Sequence, residues 1–214
     1  MLRVGLTGGI AAGKTAVSEM LAARGAHVIY ADRVAHELMR PGQSVYARIV
    51  ERFGRDILSE DGQINRTALA ALAFADKRNV EDLNRIVHPS VIEHQERWMD
   101  NIEREVSDAI AVVEAALIFE AGLGDRFDKV ITVACSKEQK VERLARRMGV
   151  DLETAHKEVE RRSSAQMSDE EKASRADYVI DNSGPLEDTE RQVDKLFSEL
   201  RLIARSADAR TPER

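Results

Sequence analysis

Gly8-Gly9-Ile10-Ala11-Ala12-Gly13-Lys14-Thr15 is the part of this sequence best equipped for chemistry, with the spacing G-x4-G-K-T behind a short apolar run. A glycine-rich turn between a strand and a helix aims backbone N–H groups at one point, where they can cradle a polyphosphate. Gly8 and Gly13 supply backbone angles that a Cβ resists. In this pattern Lys14 reaches the β- and γ-phosphates, and the Thr15 hydroxyl is placed to hold Mg²⁺. The expected ligand is a nucleoside triphosphate.

Other side chains could share such a site. Asp32 follows a short apolar run, where its carboxylate either takes the proton of an acceptor hydroxyl or caps the helix that begins near Arg33. His36, one turn on, either faces the same site or packs on the sheet. Glu114 interrupts an apolar stretch and must be paired, exposed or near a cation. At a strand end it suits Mg²⁺ or its waters, the alternative being an edge salt bridge. Glu120 reads as solvated or capping. Lys140, Arg143 and Arg147 share one face of a basic helix, with Arg161 and Arg162 beyond it. They either clamp transferring phosphate or, as charge pattern alone suggests, form a solvated face. His88-Pro89 carries little by itself, and Pro89 either begins or kinks a helix.

The elements that must position these groups alternate. Strands are expected at residues 2–6, 26–30, 109–113, 129–134 and 178–180, and helices at residues 14–24, 137–148 and 186–204. Near-continuous apolar strands imply a parallel sheet covered on both faces. Right-handed crossovers then bring Gly8, Asp32 and Glu114 to one edge. Residues 33–106 are helical and polar, too long for a connection, and read as an inserted subdomain. Residues 150–175 are densely charged, and residues 206–214 read as a frayed tail.

Composition excludes several classes. The 214 residues are 43% hydrophobic and 33% charged, with four prolines, which suits a folded enzyme rather than a disordered chain. The net charge of −6 gives no footprint for nucleic acid or a membrane surface. One cysteine, Cys135, rules out an internal disulfide and suggests a reducing compartment. No apolar stretch is long enough for a bilayer, and glycines interrupt any signal-peptide core, so a cytoplasmic location is expected.

In combination these segments resemble the dephospho-coenzyme A kinase family over about residues 2–200. The resemblance is carried by Gly5-Leu6-Thr7-Gly8-Gly9-Ile10, by Ala31-Asp32 with His36, and by Asp61-Gly62, Asn65-Arg66, Leu69 and Phe74 leading to Ile86-Val87-His88-Pro89. Leu117-Ile118-Phe119-Glu120, Arg143-Leu144 with Arg147, and Gln166 through Lys172 to Ala176-Asp177-Tyr178-Val179-Ile180-Asp181-Asn182 continue it. The chain has Ala12 and Ala16 where the family often has hydroxyl residues, and Ala115-Ala116 where a proline is common.

The resemblance implies an α/β fold with a three-layer P-loop NTPase core and a five-stranded parallel sheet at residues 1–32, 107–138 and 176–205. It also implies a helical dephospho-CoA-binding insertion at residues 33–106, a helical lid at 139–175 and a flexible tail at 206–214. The implied reaction moves the ATP γ-phosphoryl to the ribose 3′-hydroxyl of dephospho-CoA, the last step of coenzyme A synthesis. Asp32 is then the base, with Lys14 and Arg147 catalytic. Gly8, Gly9, Ala11, Ala12, Gly13, Lys14, Thr15 and Ala16 bind ATP, and Thr15 and Glu114 hold Mg²⁺. The implied partner is dephospho-CoA, with no nucleic acid and no membrane; the oligomeric state is open. A GTP-driven switch is the rival from another class, since Asp181-Asn182-Ser183-Gly184 fits D-x-x-G, but it falls in the wrong order and no Asn-Lys-x-Asp reader occurs. A different small-molecule kinase and an inactive binding module also compete with the kinase reading.

Overall fold

The structure is a computed structural model, and it describes residues 1–208. Five strands, β1 (Leu2–Gly8), β2 (His27–Tyr30), β3 (Ile110–Glu114), β4 (Lys129–Ala134) and β5 (Tyr178–Asp181), form one sheet in the order β2-β3-β1-β4-β5. The β1–β3, β1–β4 and β4–β5 pairs are parallel, with Leu6 of β1 opposite Glu114 of β3 and Ile131 of β4. Burial follows position in the sheet. Central β1, β3 and β4 are almost continuously buried, whereas edge strands β2 and β5 are not. Strands sandwiched on both sides need apolar residues at every position, which is why their sequences show runs rather than alternation.

The chain divides into two compact units, one of residues 1–29 with the described residues from Met99 onward, the other Tyr30–Trp98. In the first, Val4, Leu6, Val112, Ile131 and Val133 of the sheet share a core with Val17 and Leu21 of α1 (Lys14–Ala23) and Val193, Leu196 and Leu200 of α9 (Leu186–Asp208). Helix α9 continues through Ser206 to Asp208, where the sequence suggested fraying; residues 209–214 of that expected tail lie outside the described residues.

A second cluster joins α6 (Lys137–Met148) to α7 (Leu152–Ser163) through Val141, Leu144, Ala145, Ala155 and Val159, and Ile10 of the glycine-rich turn inserts into it. Both helices have sharp starts. The Ser136 hydroxyl accepts from Gln139 N at 3.3 Å, and the Asp151 carboxylate accepts from Thr154 N at 2.8 Å. Gly149, at φ 66°, ends α6 in the left-handed conformation. Short α8 (Asp169–Arg175) follows, capped by Ser168.

The second unit is helical: α2 (Ala31–Leu38), α3 (Ser44–Phe53), α4 (Arg66–Phe74) and the first part of α5 (Lys77–Glu105). Val34, Val45, Ile49, Phe53, Ile57, Leu69, Ile86 and Val91 are buried. Arg52 of α3 reaches α5 through Asp82 at 2.7 Å and Asn79 at 2.9 Å. Pro89 neither begins nor ends α5 but lies inside it, so the Arg85 carbonyl one turn earlier receives no backbone donor from it.

Candidate active site

The turn from β1 into α1 is shaped by neighbours that leave no room for side chains. Gly8 has φ 151° and a Cβ there would collide with the Val133 carbonyl; Gly13 has φ 97° and a Cβ would collide with the Asn182 amide. Gly13 is also the cap residue of α1 and has no side chain to offer. The first-turn N–H groups of α1, which no intrahelical carbonyl can satisfy, are therefore left to whatever occupies the turn.

The turn is held from behind. The Ala12 carbonyl accepts from Asn182 Nδ2 at 2.8 Å and from an Arg143 guanidinium nitrogen at 3.3 Å. Arg143 also donates to the Asn182 carbonyl at 2.8 Å, and Thr189 Oγ1 donates to Asn182 Oδ1 at 2.9 Å. Asn182 thus occupies the Asp-x-x-Gly-like tetrapeptide and uses it as a buried brace. Lys14 Nζ lies across the turn, donating to the carbonyls of Gly8 at 3.0 Å and Gly9 at 3.1 Å.

Glu114, the last residue of β3, accepts from Thr15 Oγ1 at 3.2 Å and from Ser18 Oγ at 2.8 Å. Its partners are hydroxyls, not the basic group an edge salt bridge requires. The donor set, one carboxylate and one hydroxyl, fits Mg²⁺, which keeps several waters and takes its remaining ligands from phosphate. Gly8, Gly9, Ala11, Ala12, Gly13, Lys14, Thr15, Ala16 and Glu114 are therefore gathered in one place. Ser18 is an addition, legible as the residue one helical turn after Thr15.

The solvated-face reading of α6 fails for two of the three cations on that face, Lys140 and Arg143. Lys140 is buried and pairs with Asp169, and Arg143 braces the turn as described. Arg147, in the last turn of α6, is exposed. Arg161 and Arg162 both bind Glu158, at 2.8 Å and 2.5 Å. These bonds, from Arg161 first, hold the Glu158 carboxyl down to about 2. Glu120 is not merely solvated or capping: it pairs with the fully buried Lys172 at 2.9 Å and accepts from Met167 N at 3.0 Å. Lys172 and Thr7 Oγ1 both donate to the Ala116 carbonyl at 3.1 Å, so the segment lacking the usual proline is pinned by hydrogen bonds.

In the helical unit, Tyr30 holds the cap position of α2 and Asp32 is its second residue, so Asp32 is not the cap. It is exposed and stands two residues beyond the end of β2. His36 is also exposed rather than packed, with Nδ1 3.5 Å from Arg66; desolvation of the ring and then the Arg66 charge lower its basicity.

A parallel sheet with a glycine-rich turn feeding a helix N-terminus, a lysine across that turn and a carboxylate beside its hydroxyl define the class of P-loop kinases. The family model described as CoaE, dephospho-CoA kinase, matches residues 2–188, and the chain belongs to the dephospho-CoA kinase family. A dephospho-CoA kinase of Syntrophus aciditrophicus is 40% identical over 200 residues, covering 94% of this chain and 83% of that relative. Among solved structures, TT1252 from Thermus thermophilus superposes with TM-score 0.75 at 31% identity, covering 92% of this chain and 96% of that one. A dephospho-CoA kinase from Campylobacter jejuni gives 0.67 at 26%, covering 93% and 96%. Among the described residues, no helix is long and apolar enough to cross a membrane.

Proposed function

We propose that this chain transfers the γ-phosphoryl group of ATP to the 3′-hydroxyl of the ribose of dephospho-CoA, giving coenzyme A and ADP in the cytoplasm. The acceptor rests on family membership. The single structural observation supporting the chemistry is the braced turn at residues 8–15, whose conformation Asn182 and Arg143 maintain.

In this reading Gly8, Gly9, Ala11, Ala12, Gly13 and Ala16 contribute backbone to the phosphate cradle, and Lys14 leaves the Gly8 and Gly9 carbonyls for phosphate oxygens. Preorganised donors of this kind stabilise charge as it develops on the transferring group. Thr15 and Glu114 hold Mg²⁺, which when bound neutralises phosphate charge. Asp32 takes the proton of the 3′-hydroxyl as its oxygen bonds to the γ-phosphorus and the bond to the bridging oxygen of ADP breaks. Its position within the segment matched by the family model supports that role. Arg147 assists from the end of α6, its exposure leaving the guanidinium available to nucleotide. The test is incubation of purified protein with Mg-ATP and dephospho-CoA. A product heavier by one phosphoryl group, located at the 3′ position, is expected; ATP binding without that product would overturn the acceptor.

A further inference from the structure

Helices α6 and α8 bring two charged side chains against the phosphate loop. Lys140 donates to the carboxylate of Asp169, the first residue of α8. The two differ in environment: the Lys140 side chain is 7% exposed and that of Asp169 26%. Both close on Gly9, where a methyl group would lie 2.7 Å from Asp169 Oδ1 and 3.3 Å from Lys140 Nζ. The carbonyl of that same Gly9 accepts from Lys14 at 3.1 Å.

These positions mark a place for phosphate. Lys14 is the group that reaches the β- and γ-phosphates in this motif, and it shares one loop residue with the Lys140–Asp169 pair. A carboxylate is an acceptor-only anion, chemically a small stand-in for phosphate oxygens. Lys172, the other buried lysine nearby, is already committed to Glu120 and the Ala116 carbonyl. Lys140, buried beside the loop, has in Asp169 a partly exposed partner that can be exchanged.

We propose that Lys140 is a second phosphate-binding lysine and that Asp169 is its resident counter-anion, displaced by the terminal phosphate of a nucleoside triphosphate. The inference rests on the reading of the loop as the ATP site. Asp169 supplies the opposite charge that lets Lys140 sit buried beside the loop. When triphosphate arrives, the same carboxylate is repelled and moves toward solvent, to which it is already partly open. Buried Lys140 stays and exchanges one anion for another. Because the exchange lies at the terminal-phosphate end, it favours triphosphate over diphosphate.

Calorimetric titration of the wild-type chain, Asp169→Asn and Lys140→Met with Mg-ATP and Mg-ADP tests this, with the melting temperature of each recorded. Asp169→Asn removes the competitor and should tighten ATP binding several-fold; Lys140→Met should weaken it about tenfold, with a smaller effect on ADP. If both variants keep the wild-type ratio of ATP to ADP affinity, the pair is a structural tie and the proposal falls alone. If wild-type protein binds no ATP, the proposal and the reading of the loop fall together. Should Lys140→Met fail to fold, the near-isosteric Asp169→Asn decides: unchanged or weaker ATP binding overturns the proposal.

Discussion

The amide nitrogen of Asn182 donates to the carbonyl of Ala12 across 2.8 Å, tying the end of the last strand to a loop at the start of the chain. The bond is buried, and its other end is fixed by Thr189. Asn182→Ala removes a donor from Ala12 and an acceptor from Thr189. It should cost about 1–3 kcal/mol of stability through unsatisfied buried groups. Urea denaturation measures that loss, and nucleotide titration should show weaker binding as the turn relaxes. Unchanged values in both would deny Asn182 its bracing role.

Lys14→Ala should leave the fold intact, because Lys14 is only half-buried and the turn is braced separately by Asn182 and Arg143. Turnover should fall about 10²-fold or more, from loss of charge stabilisation in the transition state. Steady-state kinetics beside a thermal melt separates the two; near-normal kcat would remove Lys14 from the catalytic role.

Asp32→Asn tests the proposed base without the complication of a lost helix cap, since Tyr30 occupies the cap of α2. Expected are unchanged ATP affinity, a melting temperature close to wild type, and a fall in kcat of about 10²–10⁴-fold. A variant that loses stability while retaining turnover would show that the carboxylate serves the helix instead.

Glu158 supplies a pH dependence whose sign is fixed. Its carboxyl is lowered from 4.5 to about 2 in the folded protein, first by the Arg161 hydrogen bond and then by Arg162. A depressed folded value means that the pairing stabilises above pH 4.5 and is lost as pH falls toward 2. Side-chain NMR titration should place the Glu158 midpoint well below that of an ordinary glutamate. A midpoint at the ordinary value would mean that the two arginines do not hold it in solution.

The fold was legible where burial is unambiguous. The runs Val130-Ile131-Thr132-Val133 and Ile110-Ala111-Val112-Val113 specify sandwiched strands, and the glycine spacing specifies the turn. Charge was the poorer guide. Lys140 and Arg143 read as part of a solvated face, and Glu120 as solvated or capping, because the partners that engage them lie far along the chain. Asp169 is 29 residues from Lys140, and Lys172 is 56 residues from the Ala116 carbonyl. Periodicity has no access to such pairings. Ser18 was within reach, one turn from Thr15, but a serine in an apolar helix reads as filler until a carboxylate is found opposite it.

Ile10 ties the fate of the catalytic loop to a distant piece of hydrophobic packing. Its side chain is a shared plug: the oily cluster that includes Val141 and Leu144 moors the loop on that side. Heating that loosens the α6–α7 hairpin would free one side of the loop while Asn182 and the sheet beneath still hold the other. Inactivation of this protein should therefore begin at the mooring and reach the strands last.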